Sequence, residues 1–337
     1  MMRPDPLRLV LAGCLIVAAA AGRSSGATDA FEQNRRLGKG VNILGYDPIW
    51  TSPDQARFKD RYFRMIREAG FDSVRVNLHP YRHMDASYRL SENWLATLDR
   101  VVRLATEAGL MVILDLHEYN VMAADPVGKK PMFLAFWRQV APRYKDAPDS
   151  VVFEIMNEPA LKFTAPLWNE YLPEALAIVR ETNPGRTVIV GPASWNSLFA
   201  LGSLRLPPVD RNIIVTIHYY LPMPFTHQGA PWTPEFKDLS GIEWPGTDAE
   251  RAAIRKDFEA AQKWAETEKR PIFLGEFGAY DKADMASRAR YTAAVARTAE
   301  SLGWSWAYWQ FDSDFILYDI DNERWVEPLL KALIEKP

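Results

Sequence analysis

The chain alternates between two kinds of segment. Eight short runs, rich in β-branched and aromatic residues and apolar on both faces, occupy residues 41–44, 73–78, 111–117, 151–157, 187–191, 212–220, 271–277 and 304–311. Segments of helical period lie between them. Phe58, Tyr62, Met65, Ile66 and Ala69 recur at spacings of three and four and stop at Gly70; Trp94, Leu95, Leu98, Val101, Val102 and Ala105 repeat the pattern before Gly109. Such spacing lays one apolar stripe along a helix, and a glycine just past it suits the helix end. Further helices are expected over 131–144, 167–181, 249–268 and 285–302. Strands that are apolar on both faces and joined through helices run parallel, because each return needs a crossover. Eight such units predict an α/β fold, a (β/α)8 TIM barrel in a single domain. The competing architecture, an open doubly wound sheet, lacks its glycine fingerprint after the first run.

The barrel is expected to fill residues 31–337, behind an export signal and short lead-in at 1–30. Arg3 and Arg8 flank the start of an apolar stretch from residue 9 to residue 21, after which Arg23-Ser24-Ser25-Gly26 is polar. That stretch suits the core of a signal peptide and is too short to span a bilayer stably. Cleavage is expected between Ala21 and Ala30, giving a secreted or periplasmic product. The single cysteine, Cys14, lies in this segment, so a processed chain would hold neither thiol nor disulfide. Leu11-Ala12-Gly13-Cys14 also resembles a lipoprotein box, but the apolar stretch before Cys14 is very short and continues after it, which favours cleavage over lipid attachment.

Charge removes some partners. A formal net charge of −3 over 337 residues, with Lys and Arg scattered, offers no field for nucleic acid or an anionic membrane. Twelve tryptophans are unusual, and flat indole faces serve sugar clefts as well as cores, so their placement has to decide.

In a barrel of this type the site forms where each strand hands over to its loop at the C-terminal end. The polar residues there are Asn42, Arg75, His117, Asn157-Glu158, His218-Tyr219-Tyr220, Glu276 and Trp309-Gln310. Two acids with cationic and aromatic partners on one rim suit glycosidic bond hydrolysis, in which one carboxyl donates a proton and the other stays ionised. Neighbours must push their pKa values apart. Arg75 is placed to keep Glu276 ionised, and Asn157, beside the acid, is placed to bond a sugar 2-hydroxyl.

The ordered set resembles glycoside hydrolase family 5, whose strands carry an Arg, a His, an Asn-Glu pair, a His-x-Tyr, a Glu and a Trp. All eight residues occur here in order, as Arg75, His117, Asn157, Glu158, His218, Tyr220, Glu276 and Trp309. The resemblance covers about residues 37–335 and leaves no room for a separate carbohydrate-binding module. It implies a retaining mechanism with Glu158 as acid/base and Glu276 as nucleophile, Tyr220 against the nucleophile and Trp309 flooring the sugar site. A closer likeness, to the bacterial endoglucanases of the family, some of which also cut β-mannan, is carried by Ile217-His218-Tyr219-Tyr220, Phe225-Thr226-His227-Gln228-Gly229-Ala230, Trp232 and Gly275-Glu276-Phe277-Gly278-Ala279-Tyr280. Two loops depart from it. His117-Glu118 stands where those enzymes often have a His-His pair, and Gly45-Tyr46-Asp47-Pro48 replaces a Gly-Asn-x-Leu-Glu loop.

Trp195 and Trp232 lie in polar loops after the fifth and sixth runs and are expected to stack on sugar rings; each could instead plug its loop. His227 is a loop hydrogen-bonder or a sugar contact. No cofactor or metal is expected: the first strand reads Asn42-Ile43-Leu44 without a His-x-His, and His117 and His218 lack a third ligand at convincing spacing. The expected activity is that of a secreted endo-β-1,4-glucanase acting as a monomer on β-1,4-linked polysaccharide. The alternatives are a β-mannanase or dual enzyme of the same family, and more remotely a non-catalytic sugar-binding barrel.

Overall fold

All eight apolar runs are strands of one closed parallel barrel. The computed structural model describes residues 29–335; the expected export segment, Cys14 included, lies outside them. In chain order the elements are α1 (Ala30–Leu37), β1 (Lys39–Ile43), α2 (Arg61–Glu68), β2 (Ser73–Leu78), α3 (Glu92–Glu107), β3 (Met111–Leu116), α4 (Tyr119–Ala124), α5 (Pro126–Arg143), β4 (Val151–Glu154), α6 (Ala165–Thr182) and β5 (Val188–Val190). There follow α7 (Ala193–Asn196), β6 (Ile213–Tyr219), α8 (Met223–Thr226), α9 (Asp248–Glu268), β7 (Ile272–Phe277), α10 (Met285–Ser301), β8 (Ser305–Tyr308), the short antiparallel pair β9 (Tyr318–Asp319) and β10 (Arg324–Trp325), and α11 (Glu327–Ile334). Strands β1 to β8 pair in sequence order, and β8 closes on β1 with Lys39 opposite Trp306.

Alternate residues of a strand point to opposite faces, so each strand splits into an inward and an outward set. The outward set, which includes Val41, Val74, Val76, Val112, Leu114 and Phe153, packs with the helices in the main core. Low in the barrel the inward set is Met111, Ile113, Val152, Ile189, Ile214, Phe273 and Ala307, a buried apolar plug. Helix α1 closes this end. Its Ala30 and Leu37 join the plug, Asn34 Nδ2 donates to Ile272 O at 2.9 Å, and Ser305 Oγ donates to Asn34 Oδ1 at 2.6 Å. Higher up, the inward positions turn polar: Asn42, Arg75, Asn77, Asp115, Glu154 and Thr216 are all fully buried. The outward face of the sheet is thus uniform, and the inward face changes from hydrocarbon to charge along the barrel axis.

The helices that flank the mouth start on side-chain caps. Thr247 and Glu250 form a capping box at α9, and Asp284 accepts from Ser287 N at 2.9 Å at α10. Such caps satisfy backbone donors that a helix start leaves open, and they fix where the loops after β6 and β7 end.

Candidate active site

Arg75, on β2, is the hub of the mouth. Its Nε and Nη2 grip the two oxygens of Glu154 at 2.7 and 2.8 Å, and Nη1 donates at 2.8 Å to both Glu276 Oε1 and Asn42 Oδ1. Nη2 also donates to Asn157 Oδ1 at 2.8 Å and lies 3.1 Å from Asp115 Oδ2. Burial works against this charge, but Asp115 and Glu154 more than offset it, so the guanidinium is held well above its ordinary range. Burial pushes both Asp115 and Glu154 up by more than Arg75 pulls them down, and Asp115 adds to the push on Glu154.

Glu276 enters this network from β7 through an irregularity. Leu274 pairs with Ile217, but the next partner of His218 is Glu276, so Gly275 is skipped. A Cβ on Gly275 would lie 2.5 Å from Thr216 Oγ1 and 3.1 Å from His218 Nε2, so only glycine fits the bulge that turns Glu276 into the mouth. Besides Arg75, Glu276 accepts from the Tyr220 hydroxyl at 3.0 Å on Oε2. Burial pushes its carboxyl up to about 7, with His218 and Arg75 pulling down and Glu158 pushing up.

Glu158 stands opposite, just beyond β4, on a left-handed residue with φ 47°. Its Oε1 lies 2.7 Å from His218 Nδ1, and among the described residues no Lys or Arg pairs with it. Burial pushes this carboxyl to about 8, higher than that of Glu276, because Arg75 acts on it only from a distance while Asp115 and Glu154 repel it. Burial lowers His218, so the imidazole is neutral where these acids titrate. His218 Nδ1 is also 3.5 Å from Glu276 Oε2, and one atom each of Glu158, His218 and Glu276 lie within 4.8 Å of one another. Three such groups could in principle hold a metal ion, but a guanidinium 2.8 Å from Glu276 opposes any cation placed there.

Aromatic rings build the walls. Tyr46 stacks on His79 with centroids 5.3 Å apart, and His117 stacks on Trp309 at 5.4 Å and 11°. Trp232, half exposed, meets Tyr280 edge-on at 4.9 Å and also packs on Phe315. Trp195 is half exposed on α7. His227 sits behind the mouth, edge-on to Tyr220 at 5.1 Å and bonded to Thr226 Oγ1 at 2.9 Å; burial lowers it to about 4.

The structure therefore joins Arg75, His117, Asn157, Tyr220 and Glu276 in one hydrogen-bonded group, and sets the hydrogen-bonded pair Glu158 and His218 against it, with His218 Nδ1 3.5 Å from Glu276 Oε2. Asn42 lies below it, fully buried, with Nδ2 donating to Gly275 O at 3.0 Å and Tyr308 O at 3.2 Å. Asn157 is also fully buried and engaged at both ends, by Arg75 and by His117 Nε2 at 3.3 Å. Trp309 lines the mouth on His117, and Trp195 and Trp232 stand on its rim. Glu118, in place of a second histidine, turns away from the cleft to accept from Tyr81 N at 2.7 Å.

Four buried participants are given no role by the reading of strand ends: Asn77 and Asp115, which stand within the second and third runs, Glu154 and Asn196. Asp115 binds His117 Nδ1 at 2.6 Å and accepts from Asn77 Nδ2 at 3.1 Å. A signal for it and for Glu154 does exist, since an acid inside a run that is apolar on both faces must find a partner when buried. Asn196 lies in a turn and carries no such signal.

A closed barrel whose mouth sets two acids face to face, one buried on an arginine and one partly buried on a histidine, defines a hydrolase of glycosides. The chain belongs to glycosyl hydrolase family 5: the family model for the cellulases, glycosyl hydrolase family 5, matches residues 35–315. Among solved structures, Thermotoga maritima Cel5A in complex with cellobiose is 40% identical, with a TM-score of 0.87 over 91% of this chain and 100% of that one. The same enzyme in complex with mannotriose gives 40% identity and 0.87 over the same 91% and 100%. Among curated relatives, Endoglucanase H of Acetivibrio thermocellus is 28% identical across 91% of this chain and 34% of its own length. The chain spans between about a third and a half of the first curated relatives it matches.

Proposed function

We propose that this enzyme is an exported, retaining endo-β-1,4-glucanase in which Glu276 is the nucleophile and Glu158 the acid/base. The observation that carries the reading is the approach of the two carboxylates, with oxygens within 4.8 Å. An inverting pair needs about 6.5 to 9.5 Å to admit a water, whereas a retaining pair stands about 5 to 5.5 Å apart. The roles follow from the partners. Glu276, bonded to Arg75 and Tyr220, is the better stabilised anion, and Glu158, with only a neutral imidazole, is the better proton carrier.

In the first step Glu276 attacks the anomeric carbon as the glycosidic bond breaks, and Glu158 gives its proton to the leaving oxygen. In the second, Glu158 takes a proton from water, whose oxygen displaces Glu276 from the sugar. Two inversions leave the β configuration. Half-exposed Trp195 and Trp232, with Tyr46 on His79, give a linear polymer flat platforms, which supports internal cleavage. Export through the apolar segment at 9–21 is part of the same reading.

Glucan is the main substrate proposed, cellulosic or mixed-linkage, with glucomannan or mannan second. A relative 40% identical has been solved with both cellobiose and mannotriose, which supports the pairing. Initial rates on carboxymethyl cellulose, β-glucan, mannan and xylan, with proton NMR of the first product, test all of this. The β-anomer should appear before mutarotation. An α-anomer first, or xylan cut faster than any glucan, would sink the proposal.

A further inference from the structure

The two histidines of the mouth are held in matching ways. His117 presents Nδ1 to Asp115 and Nε2 to the amide of Asn157; His218 presents Nδ1 to Glu158 and Nε2 to the amide of Asn196, at 3.3 Å. For Asn157 the orientation is dictated, because its Oδ1 takes a bond from Arg75 and only its NH2 is left for His117. Asn196 has no such anchor. Its Oδ1 is buried and has no hydrogen-bond partner.

His218 itself decides the orientation. Its Nδ1 faces Glu158 Oε1 at 2.7 Å and Glu276 Oε2 at 3.5 Å, and an ionised Glu276 requires a donor there. A neutral imidazole has one N–H, so Nε2 is left as an acceptor. The buried donor that meets it is the Asn196 NH2. The ionisable groups facing this pair are Glu276 on β7, Arg75 on β2, Asp115 on β3 and Glu154 on β4, with Tyr220 after β6, Tyr46 after β1 and Tyr119 on α4. None of them offers Nε2 a hydrogen bond.

The chain is locally strained to put Asn196 there. Ser194, Trp195 and Asn196 are successive left-handed residues, with φ of 63°, 58° and 53°, and none is glycine. L-residues rarely adopt this conformation, asparagine more readily than most. Ser197 then pairs with His218 across a parallel bridge. A Cβ on Gly191 would lie 2.0 Å from Asn196 Oδ1, so the end of β5 is hollowed out for this side chain. An apolar residue of the same volume would fill the space without leaving a buried acceptor unpaired. What such a residue lacks is the donor.

We propose that Asn196 is a positioning residue that fixes His218 as the Nδ1–H tautomer, so that Glu158 accepts on Oε1 and carries its own proton on Oε2, toward the leaving group. The inference rests on the acid/base role proposed for Glu158. With the other tautomer, the Glu158 proton would sit on Oε1 against the imidazole and be lost to the substrate.

Nitrogen-15 NMR of the native chain, which has five histidines, reads the tautomer directly, with His218 assigned by its absence in His218→Gln. Nε2 should resonate as unprotonated and Nδ1 as protonated. Asn196→Asp keeps the shape and the tolerance for left-handed backbone but takes away the donor. Nε2 should become protonated, and kcat on polysaccharide should fall about tenfold or more with KM nearly unchanged. The alkaline limb of the pH profile should move to higher pH, because Nδ1 would then accept the Glu158 proton instead of donating to its carboxylate, and aryl glycosides with acidic phenol leaving groups should keep most of their rate. A protonated Nε2 in the native enzyme overturns the proposal even if the variant fails to fold. So does an Asn196→Asp enzyme with native tautomer and pH limbs. Failure of the acid/base reading would show elsewhere, as equal losses on polysaccharide and aryl glycosides in Glu158→Ala.

Discussion

The two sides of the mouth carry the same functional group in different surroundings. On the β2–β7 side, Glu276 meets a guanidinium and a phenol, both aimed at its oxygens. On the β4–β6 side, Glu158 meets one neutral imidazole, itself held by an amide. Both carboxyls are pushed up by burial, Glu276 to about 7 and Glu158 to about 8. Burial alone would treat them alike. A charged partner on one side and a neutral partner on the other separates them, and their mutual repulsion makes it unfavourable to ionise both. On the proposed mechanism the two roles follow from the partners the barrel supplies, since both groups are glutamates on strand ends.

The comparison breaks most completely when either acid is removed. Glu276→Ala should abolish turnover, with azide restoring some activity and giving an α-glycosyl azide. Glu158→Ala should lose about 10²- to 10⁴-fold on polysaccharide, much less on aryl glycosides with good leaving groups, and give a β-glycosyl azide. Swapped azide products would reverse the assignment. In the native enzyme kcat/KM should rise as Glu276 loses its proton, near pH 7, and fall as Glu158 loses its own, near pH 8. As the two titrate together, these limbs belong to the pair. An alkaline limb that survives Glu158→Ala on aryl glycosides would contradict this ordering.

Arg75→Met strikes the Glu276 side directly and Glu158 only from a distance. It leaves Asp115, Glu154 and Glu276 buried together without their cation, a loss expected to cost about 3 to 5 kcal/mol of stability. Their carboxyls already lie above the ordinary range, and removing the cation raises them further. The folded variant would then hold protons that the unfolded chain releases, so its stability should fall as pH rises through and beyond the ordinary carboxylate range. Denaturant melts at pH 5 and pH 8 check the sign. A variant less stable at pH 5 than at pH 8 would show that these acids are not the source of the loss.

How much of this can be read from the chain depends on where a residue sits along its strand. The eight strands are legible because both faces are apolar and glycines or polar loops bound them. Glu158, His218 and Glu276 are legible because they stand where the apolar run ends. Asp115 and Glu154 are hidden one inward position deeper, among Leu114, Leu116, Phe153 and Ile155, and only a period-two reading of the inward set would have aligned them with Arg75 and Asn42. Helix α1 spans eight residues, too few to show a periodic stripe, and its role as a barrel plug is a tertiary fact. Asn196 is the hardest case. Pro192-Ala193-Ser194-Trp195-Asn196 reads as an ordinary polar turn, and its left-handed run and fit against Gly191 arise only once β5 and β6 lie side by side. The stacking of Tyr46 on His79 likewise joins loops from two strands that no local pattern links.

The smallest expected effect concerns the rim, where the two sides differ again. Trp195 rides on the strained turn that carries Asn196, so altering it disturbs the acid side as well as the cleft. Trp232 has no such tie: it rests edge-on against Tyr280 and tilted on Phe315, with about half its surface exposed, 48%. With about half its surface open, the indole offers apolar ring surface to a sugar, as a stacking platform requires. Trp232→Ala should therefore weaken binding of polymer and long oligosaccharides by about 1 to 3 kcal/mol, on the scale of aromatic stacking against nucleic-acid bases. Its kcat on short aryl glycosides should not change, because neither acid nor any of their partners is touched. Calorimetric titration of a long cello-oligosaccharide into the inactive Glu276→Ala enzyme, with and without the Trp232 change, isolates the term from catalysis. Unchanged affinity with a lower Tm would mean that Trp232 is a plug beneath its loop, and that the platforms of the cleft are Tyr46, Trp309 and Trp195 alone.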